Sequence, residues 1–244
     1  KNPNISLQTS IIFEKLAQNN AVQLQELEEF KELRNQLAEA CSINGYTGFR
    51  LWDKNGIEIK VFDKNHTTRG EENRTKEEQV LFEKILKGNT STTLPYLTNI
   101  NLPDGEGNYN SNQPTMLVGT PVYKNKKIIG ALVFHLRPES GFANIFEIFW
   151  PGETGETYAF NDQGIMISRS RFEEQQKFKA ITKGLSSILN IRLTDPNSID
   201  SKGSFTLMAE SALKGESGFN LDGYYNYQGD YVVSAWAWLS EFKY

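Results

Sequence analysis

Leu16, Leu24, Leu27, Phe30, Leu33 and Leu37 recur mostly at three- and four-residue steps, with Gln, Glu and Lys on the opposite side. That spacing predicts one long amphipathic helix over residues 7 to 40, a rod of roughly 50 Å that can run beside two small modules. The same stripe also fits a coiled-coil seam between two chains. The pattern then changes to period two, predicting strands at 46–52 and 57–62 around the Asn55-Gly56 turn. Thr75 and Glu78 form a capping box ahead of Val80, Leu81, Ile85 and Leu86, and Gly88 closes that helix. A turn-rich stretch from 99 to 114 precedes two more strands, at 116–123 and 127–136.

Phe142, Ile145, Phe146 and Phe149 space a short amphipathic helix over 140–150, which Pro151-Gly152 ends. Beyond it the pattern predicts helices near 173–183 and 208–214 and a terminal hairpin turning at Gln228-Gly229. The two halves echo one another. Trp52-Asp53-Lys54-Asn55-Gly56-Ile57-Glu58-Ile59 returns 108 residues later (56 to 164) as Phe160-Asn161-Asp162-Gln163-Gly164-Ile165-Met166-Ile167. Tyr123 with Ile128-Ile129-Gly130-Ala131 returns 104 residues later (123 to 227) as Tyr227 with Val232-Val233-Ser234-Ala235. Two tandem modules of one topology account for both offsets. Helix, strand pair, helix, loop and strand pair is an α+β order, in which each module is an antiparallel sheet flanked by helices.

A chain of 244 residues with 38% hydrophobic and 12% aromatic residues can fill two cores. The net charge of -4 provides no basic field for nucleic acid or an anionic membrane. No apolar run approaches the ~20 residues of a membrane helix, and the abrupt ends read as those of an excised piece. Cys41 is the single cysteine, so an internal disulfide and a multi-cysteine zinc site are excluded. Tyr158, Tyr227, Trp236 and Trp238 read as core of the second module, which predicts a small or closed pocket there.

Catalytic, metal and cofactor chemistry find no motif. His66 and His135 lack a second ligand at metal spacing, and the serines lack a nucleophile elbow. Gly152-Glu153-Thr154-Gly155 lacks the Lys-Ser/Thr of a phosphate loop, and Asp104, Glu106 and Asn108 read as a solvated acidic loop. Recognition is better supported. Tyr46, Arg50 and Trp52 share one strand face by period two, placing a guanidinium between two rings that suits a small carboxylate. The same trio also fits an arginine stacked on its neighbours for stability alone. Arg69, Tyr96 and Tyr123 are further candidates, from elements expected to border the same cavity.

With the long first helix, the segment Gly45-Tyr46-Thr47-Gly48-Phe49-Arg50-Leu51-Trp52-Asp53-Lys54-Asn55-Gly56 resembles the double Cache (tandem PAS-like) extracytoplasmic sensor domains of prokaryotic transmembrane receptors. Gly119-Thr120-Pro121-Val122-Tyr123, Ile129-Gly130-Ala131-Leu132, Gly152-Glu153-Thr154-Gly155-Glu156-Thr157-Tyr158 and Trp236-Ala237-Trp238-Leu239 extend the resemblance over essentially the whole chain. It implies a helix over 1–44 lying along both modules, a membrane-distal module over 45–141, a connecting helix over 142–151 and a membrane-proximal module over 152–244. It further implies a small-molecule ligand in the distal module, a carboxylate or an amino acid among the options. Flanking transmembrane helices outside this chain are implied as well, and the leucine seam adds a homodimer through the first helix as an option. Amino-acid-binding members carry an Arg-x-Trp-Tyr run after the first hairpin. Here Arg50-Leu51-Trp52 precedes the turn and Asp53 follows it, so that motif is not matched. The expectation is a non-catalytic sensor without cofactor or metal, the extracytoplasmic part of a membrane receptor of histidine kinase, cyclase or chemoreceptor type. The alternative is a structural or dimerisation ectodomain.

Overall fold

Leu16 and Leu33 enter one core, and a straight helix would hold them roughly 25 Å apart. The computed structural model describes residues 3–18, 23–54, 57–61, 67–71, 74–103, 108–178, 185–198 and 203–240. In it the expected single helix over 7–40 is two helices, α1 (Pro3–Gln18) and α2 (Glu28–Asn44), with a 3₁₀ turn at Leu24–Glu26 between them. Leu27, extended at φ −72°, ψ 122°, starts α2 and interrupts helical geometry. Ile12, Phe13 and Leu16 of α1 join Phe30, Leu33 and Leu37 of α2 in burying against the same strands. Lys15 to Glu29 (2.8 Å) and Gln8 to Glu32 (2.8 Å) hold the second helix back along the first. Burying both apolar stripes on one sheet face outweighs continuing the rod into water. Gly45 ends α2 at φ 68°, a left-handed cap that glycine adopts without a Cβ penalty.

The chain divides into two compact units, Lys1–Ser140 and Gly141–Tyr244. In the first, β1 (Tyr46–Asp53), β2 (Ile57–Val61) and β3 (Thr67–Glu71) precede α3 (Lys76–Leu86). Short strands β4 (Ser91–Thr92), β5 (Tyr96–Leu97), β6 (Leu102–Pro103) and β7 (Tyr109–Asn110) follow, then the long pair β8 (Pro114–Lys124) and β9 (Lys127–Leu136). The sheet is antiparallel in the order β3-β2-β1-β9-β8-β4, with β5 also on β8, while β6 and β7 pair separately. Helices cover both faces. Phe49 and Leu51 face α1 and α2, while Trp52, Val133 and Leu117 pack with Leu81, Phe82 and Ile85 of α3. Double coverage explains why β1 is buried without a break from Gly48 to Asp53. Within the 99–114 stretch, residues 104–107, with Asp104 and Glu106, lie outside the described residues.

In the second unit, α4 (Phe142–Glu147) and α5 (Glu173–Phe178) lead to α6 (Leu207–Leu213). Thr206 caps α6 by accepting from the Ala209 N–H. The hairpin of β10 (Gly218–Tyr225) and β11 (Tyr231–Trp236) closes the unit. The predicted strand pair around Gly164 narrows to a tight turn, closed by a single bridge between Phe160 and Met166. Asn161 Oδ1 accepts from the Gln163 and Ile165 amides there. Met166, Ile191, Leu193, Met208, Ala209 and Tyr227 form the core, with Tyr158 and Trp236 packed on it half-buried. Thus both units use mixed α+β packing, while among the described residues the regular sheet belongs to the first.

Candidate functional site

Arg50 is the only arginine in β1, and α3 closes over it until 1% of its surface is exposed. A buried guanidinium needs acceptors for its fixed fork of donors; two side chains accept from it and a third forms an ion pair with it. Nε donates to His135 Nε2 at 2.6 Å, Nη1 donates to Glu58 Oε1 at 2.9 Å, and Nη2 lies 2.9 Å from Glu78 Oε1. Glu58 comes from β2, directly opposite Trp52 in register, and its Oε1 also accepts from Trp52 Nε1 at 2.7 Å. Its Oε2 pairs with Lys60 at 3.0 Å. Glu78 comes from the first turn of α3, and its Oε1 also accepts from the Tyr96 hydroxyl at 2.7 Å.

Two further side chains complete the cluster. Arg74, half-buried just before α3, stacks over Phe82 at 3.5 Å and Trp52 at 5.0 Å from the ring centroids. Accepting from Arg50 leaves the His135 ring proton on Nδ1, 3.4 Å from Thr115 Oγ1. Burial and the Arg50 charge keep that imidazole neutral, far below its ordinary range. Burial opposes charge on Arg50 and on Glu58. For Arg50, attraction to Glu78 and Glu58 outweighs it and raises the guanidinium value. For Glu58, Arg50 together with the Trp52 hydrogen bond and Lys60 outweighs it and lowers the carboxyl value. Burial brings Arg74 down to about 10, against the pull of Glu58 and Glu78, so it stays charged at neutral pH.

Of the six residues singled out from sequence, Arg50, Trp52 and Tyr96 meet in this cluster. Tyr46 does not. Register slips between Tyr46 and Gly48, a bulge that inserts Thr47 and reverses the facing of everything before it. Tyr46 therefore stacks on Phe134, at 4.8 Å, on the α1 and α2 side of the sheet. Tyr123 lies beside Gly88, at the opposite end of α3 from Glu78. Arg69 pairs with Ile59 through the backbone of β3, and its side chain is outside the described residues. The residues that sequence reasoning missed are Glu58, Glu78, His135 and Arg74. Glu58 was legible in principle, since antiparallel pairing of β1 with β2 sets it opposite Trp52.

A groove on the other face is lined by Ser10, Phe13, Glu14, Asp53, Lys124 and Ile129, with none of the six candidates in it. The second unit has its own buried polar cluster. Glu156 accepts from Ser170 Oγ (2.5 Å), the Arg171 amide (3.0 Å) and Tyr227 Oη (2.9 Å), and burial raises its carboxyl value. These hydrogen bonds join the segments at 156, 170 and 227, which is a structural use. Among the described residues no group of three or more His, Cys, Asp or Glu is placed to hold a metal ion.

No protein-family model matches the sequence, and no curated protein matches it. Solved structures similar to it include the ligand-binding domain of the Campylobacter jejuni chemoreceptor Tlp3 in complex with 4-methylisoleucine. That similarity has a TM-score of 0.44 and 15% identity, over 70% of this chain and 68% of that one. A domain of a protein described as of the sensory box/GGDEF family, from Vibrio parahaemolyticus, has a TM-score of 0.45 and 11% identity, over 88% and 82% of the two chains. The extracellular domain of a protein described as a histidine kinase has a TM-score of 0.44 and 14% identity, over 85% and 76%. What the fold and the cluster define on their own is an α+β protein with a buried ionic network between a sheet and its covering helix.

Proposed function

We propose that the chain is the extracytoplasmic ligand-sensing part of a transmembrane signalling receptor of the double Cache type. Its first unit is the membrane-distal module and binds a small carboxylate or amino acid on the Arg50 face of the sheet. The observation that carries this reading is the cluster itself. Arg50, Lys60 and Arg74 converge with Glu58 and Glu78 beside the Trp52, Phe82 and Tyr96 rings. Purely structural burial favours apolar replacement of such charges, so a network this dense suits recognition of a charged molecule. Asp53 lines the groove on the other face with Lys54 and Lys124, and its charge also reaches Arg74.

Signalling on this reading needs a ligand that binds two conformations unequally, with no bond made or broken. The histidine kinase, cyclase or chemoreceptor output lies in other parts of the receptor. Among the described residues no helix is long and apolar enough to cross a membrane, so the receptor's spans are assigned to flanking segments.

The test is a thermal melting screen of the chain against small carboxylates and amino acids. A binder at ~100 times its dissociation constant adds about 2.7 kcal/mol, roughly 5–10 °C for a domain of this size. No shift with any of them overturns the reading. The second reading is a dimerisation ectodomain, favoured by the outward face of β10 and β11, where Phe219 is 70% and Leu221 73% exposed. Concentration-dependent sedimentation without any ligand response would select it.

A further inference from the structure

Arg50 treats its two carboxylates differently. Glu58 is held by directed hydrogen bonds from Arg50 Nη1 and Trp52 Nε1 and by the Lys60 ammonium, and its strand register is fixed by the hairpin. Glu78 approaches Arg50 Nη2 to 2.9 Å, yet Nη2 makes no aligned hydrogen bond among the described residues while fully buried. The contact is a close ion pair with poor N–H alignment. The N–H groups of Nη2 remain for an acceptor of better geometry, and a carboxylate that faces the guanidinium in its own plane is such an acceptor.

Glu78 is also placed to give way. Its Oε2 accepts from the Thr75 N–H at 3.3 Å, and the Glu78 amide donates to Thr75 Oγ1 at 3.3 Å, closing the capping box of α3. If Oε1 leaves Arg50, the carboxylate keeps that anchor and the favourable field of a helix start. Around the cluster Arg50, Lys60 and Arg74 stand beside the carboxylates of Glu58 and Glu78, and Asp53 also acts on Arg74.

Resting on the carboxylate-sensing reading above, we propose that Glu78 is a resident carboxylate occupying Arg50 in place of a ligand's anionic group. A small carboxylate displaces it and shifts the first turn of α3. Glu78 then sets both affinity and output. The ligand binds only as tightly as its competition with Glu78 allows, and the same displacement moves Tyr96 and the start of the helix.

The test compares the full chain with its Glu78→Gln variant by calorimetric titration of acetate, propionate, lactate and L-isoleucine. Glutamine still closes a capping box and still accepts from Tyr96, so the variant removes the competing charge and little else. The expected result is at least one probe that binds the unaltered chain and binds Glu78→Gln about 10-fold tighter. Saturation with that probe should also speed amide hydrogen exchange over residues 76–79 in the unaltered chain and leave it unchanged in the variant. Equal or weaker binding by the variant, or unchanged exchange in the unaltered chain, overturns the role of Glu78 and leaves sensing intact. Binding of no probe to either protein overturns the sensing reading and this one with it. If circular dichroism shows Glu78→Gln unfolded, Tyr96→Phe takes its place. It removes the donor that holds Oε1 and should tighten binding in the same direction, by less.

Discussion

Glu78 and Arg50, from the first turn of α3 and the middle of β1, meet at 2.9 Å with about 1% of each side chain exposed. Their pairing joins the start of a helix to the centre of a sheet. It also makes the cluster a folding element as well as a candidate binding site, which separates the following expectations.

Arg50→Ala leaves Glu58 and Glu78 buried without their guanidinium. Breaking a buried pair in this way costs about 3–5 kcal/mol, so the variant should lose much of the first unit's stability in urea denaturation. Adding Glu58→Gln and Glu78→Gln should recover part of that loss, because no uncompensated charge then remains. A triple variant less stable than Arg50→Ala contradicts the account.

His135 gives the first unit a pH dependence of definite sign. Its folded value lies well below the ordinary 6.5, so the unfolded chain takes up a proton near pH 6.5 that the folded chain refuses. The contribution is fully present above pH 6.5 and is lost as the pH falls from there, at up to about 1.4 kcal/mol per unit. Glu58, with a lowered folded value, adds a loss in the same direction at lower pH, below its ordinary 4.5. His135→Gln retains an acceptor for Arg50 Nε. Melting curves from pH 7.5 to 5 should be flatter for this variant than for the unaltered chain.

Gly130 and Gly119 both lie where the sheet admits close neighbours, but their alanine variants should differ. A Cβ at Gly130 would stand 2.2 Å from the Trp52 carbonyl oxygen, a backbone atom of the adjoining strand that cannot move without breaking the ladder. At Gly119 it would stand 2.4 Å from Ile85 Cδ1, the far end of a side chain that can turn away. Gly130→Ala should therefore cost more than the ~1–3 kcal/mol of ordinary overpacking, and Gly119→Ala should fall within it. Denaturation midpoints compare the two directly.

Glu156 tests the second unit with the opposite sign. Burial raises its folded value above the ordinary 4.5, against the Ser170, Tyr227 and Arg171 donors, so keeping it ionised opposes folding. Its relative contribution is fully favourable below pH 4.5 and diminishes as pH rises through the folded value. Glu156→Gln keeps an oxygen for Ser170 and the Arg171 amide and removes that ionisation. Its stability relative to the unaltered chain should grow between pH 4 and 7, measured by thermal melting.

Trp236 is half-buried and donates from Nε1 to Ser211 Oγ at 3.2 Å. Trp236→Ala should consequently cost less than the ~3–5 kcal/mol of a fully enclosed aromatic. A larger loss in guanidinium unfolding would indicate that the tryptophan is covered in solution by something else.

How far the chain could be read in advance follows the range of the interactions. The capping box of Thr75 and Glu78, the β8 and β9 pair, the short helix at 142 and the turn at Gly229 are set by neighbours a few residues away, and each stands where its pattern predicts. Period two correctly put Arg50 and Trp52 on one face. It failed for Tyr46 because one inserted residue, Thr47, turns the strand over, and nothing local distinguishes a bulge from an ordinary threonine in a strand. The leucine stripe correctly marked helix and core, yet it reads the same in one long rod as in two helices lying back to back.

By itself, then, the sequence determined the alternation of helix and strand, the antiparallel α+β class, the caps and turns, and the presence of an arginine among aromatics at the first strand. Local propensity and periodicity reach that far because their partners lie within one turn or one pleat. Only the tertiary structure decided that Glu58, Glu78 and His135 converge on that arginine, that Tyr46 leaves it, and that α1 folds back. These outcomes depend on which distant surfaces bury one another, and the free energy of burying a charge is set by the partners the fold assembles around it.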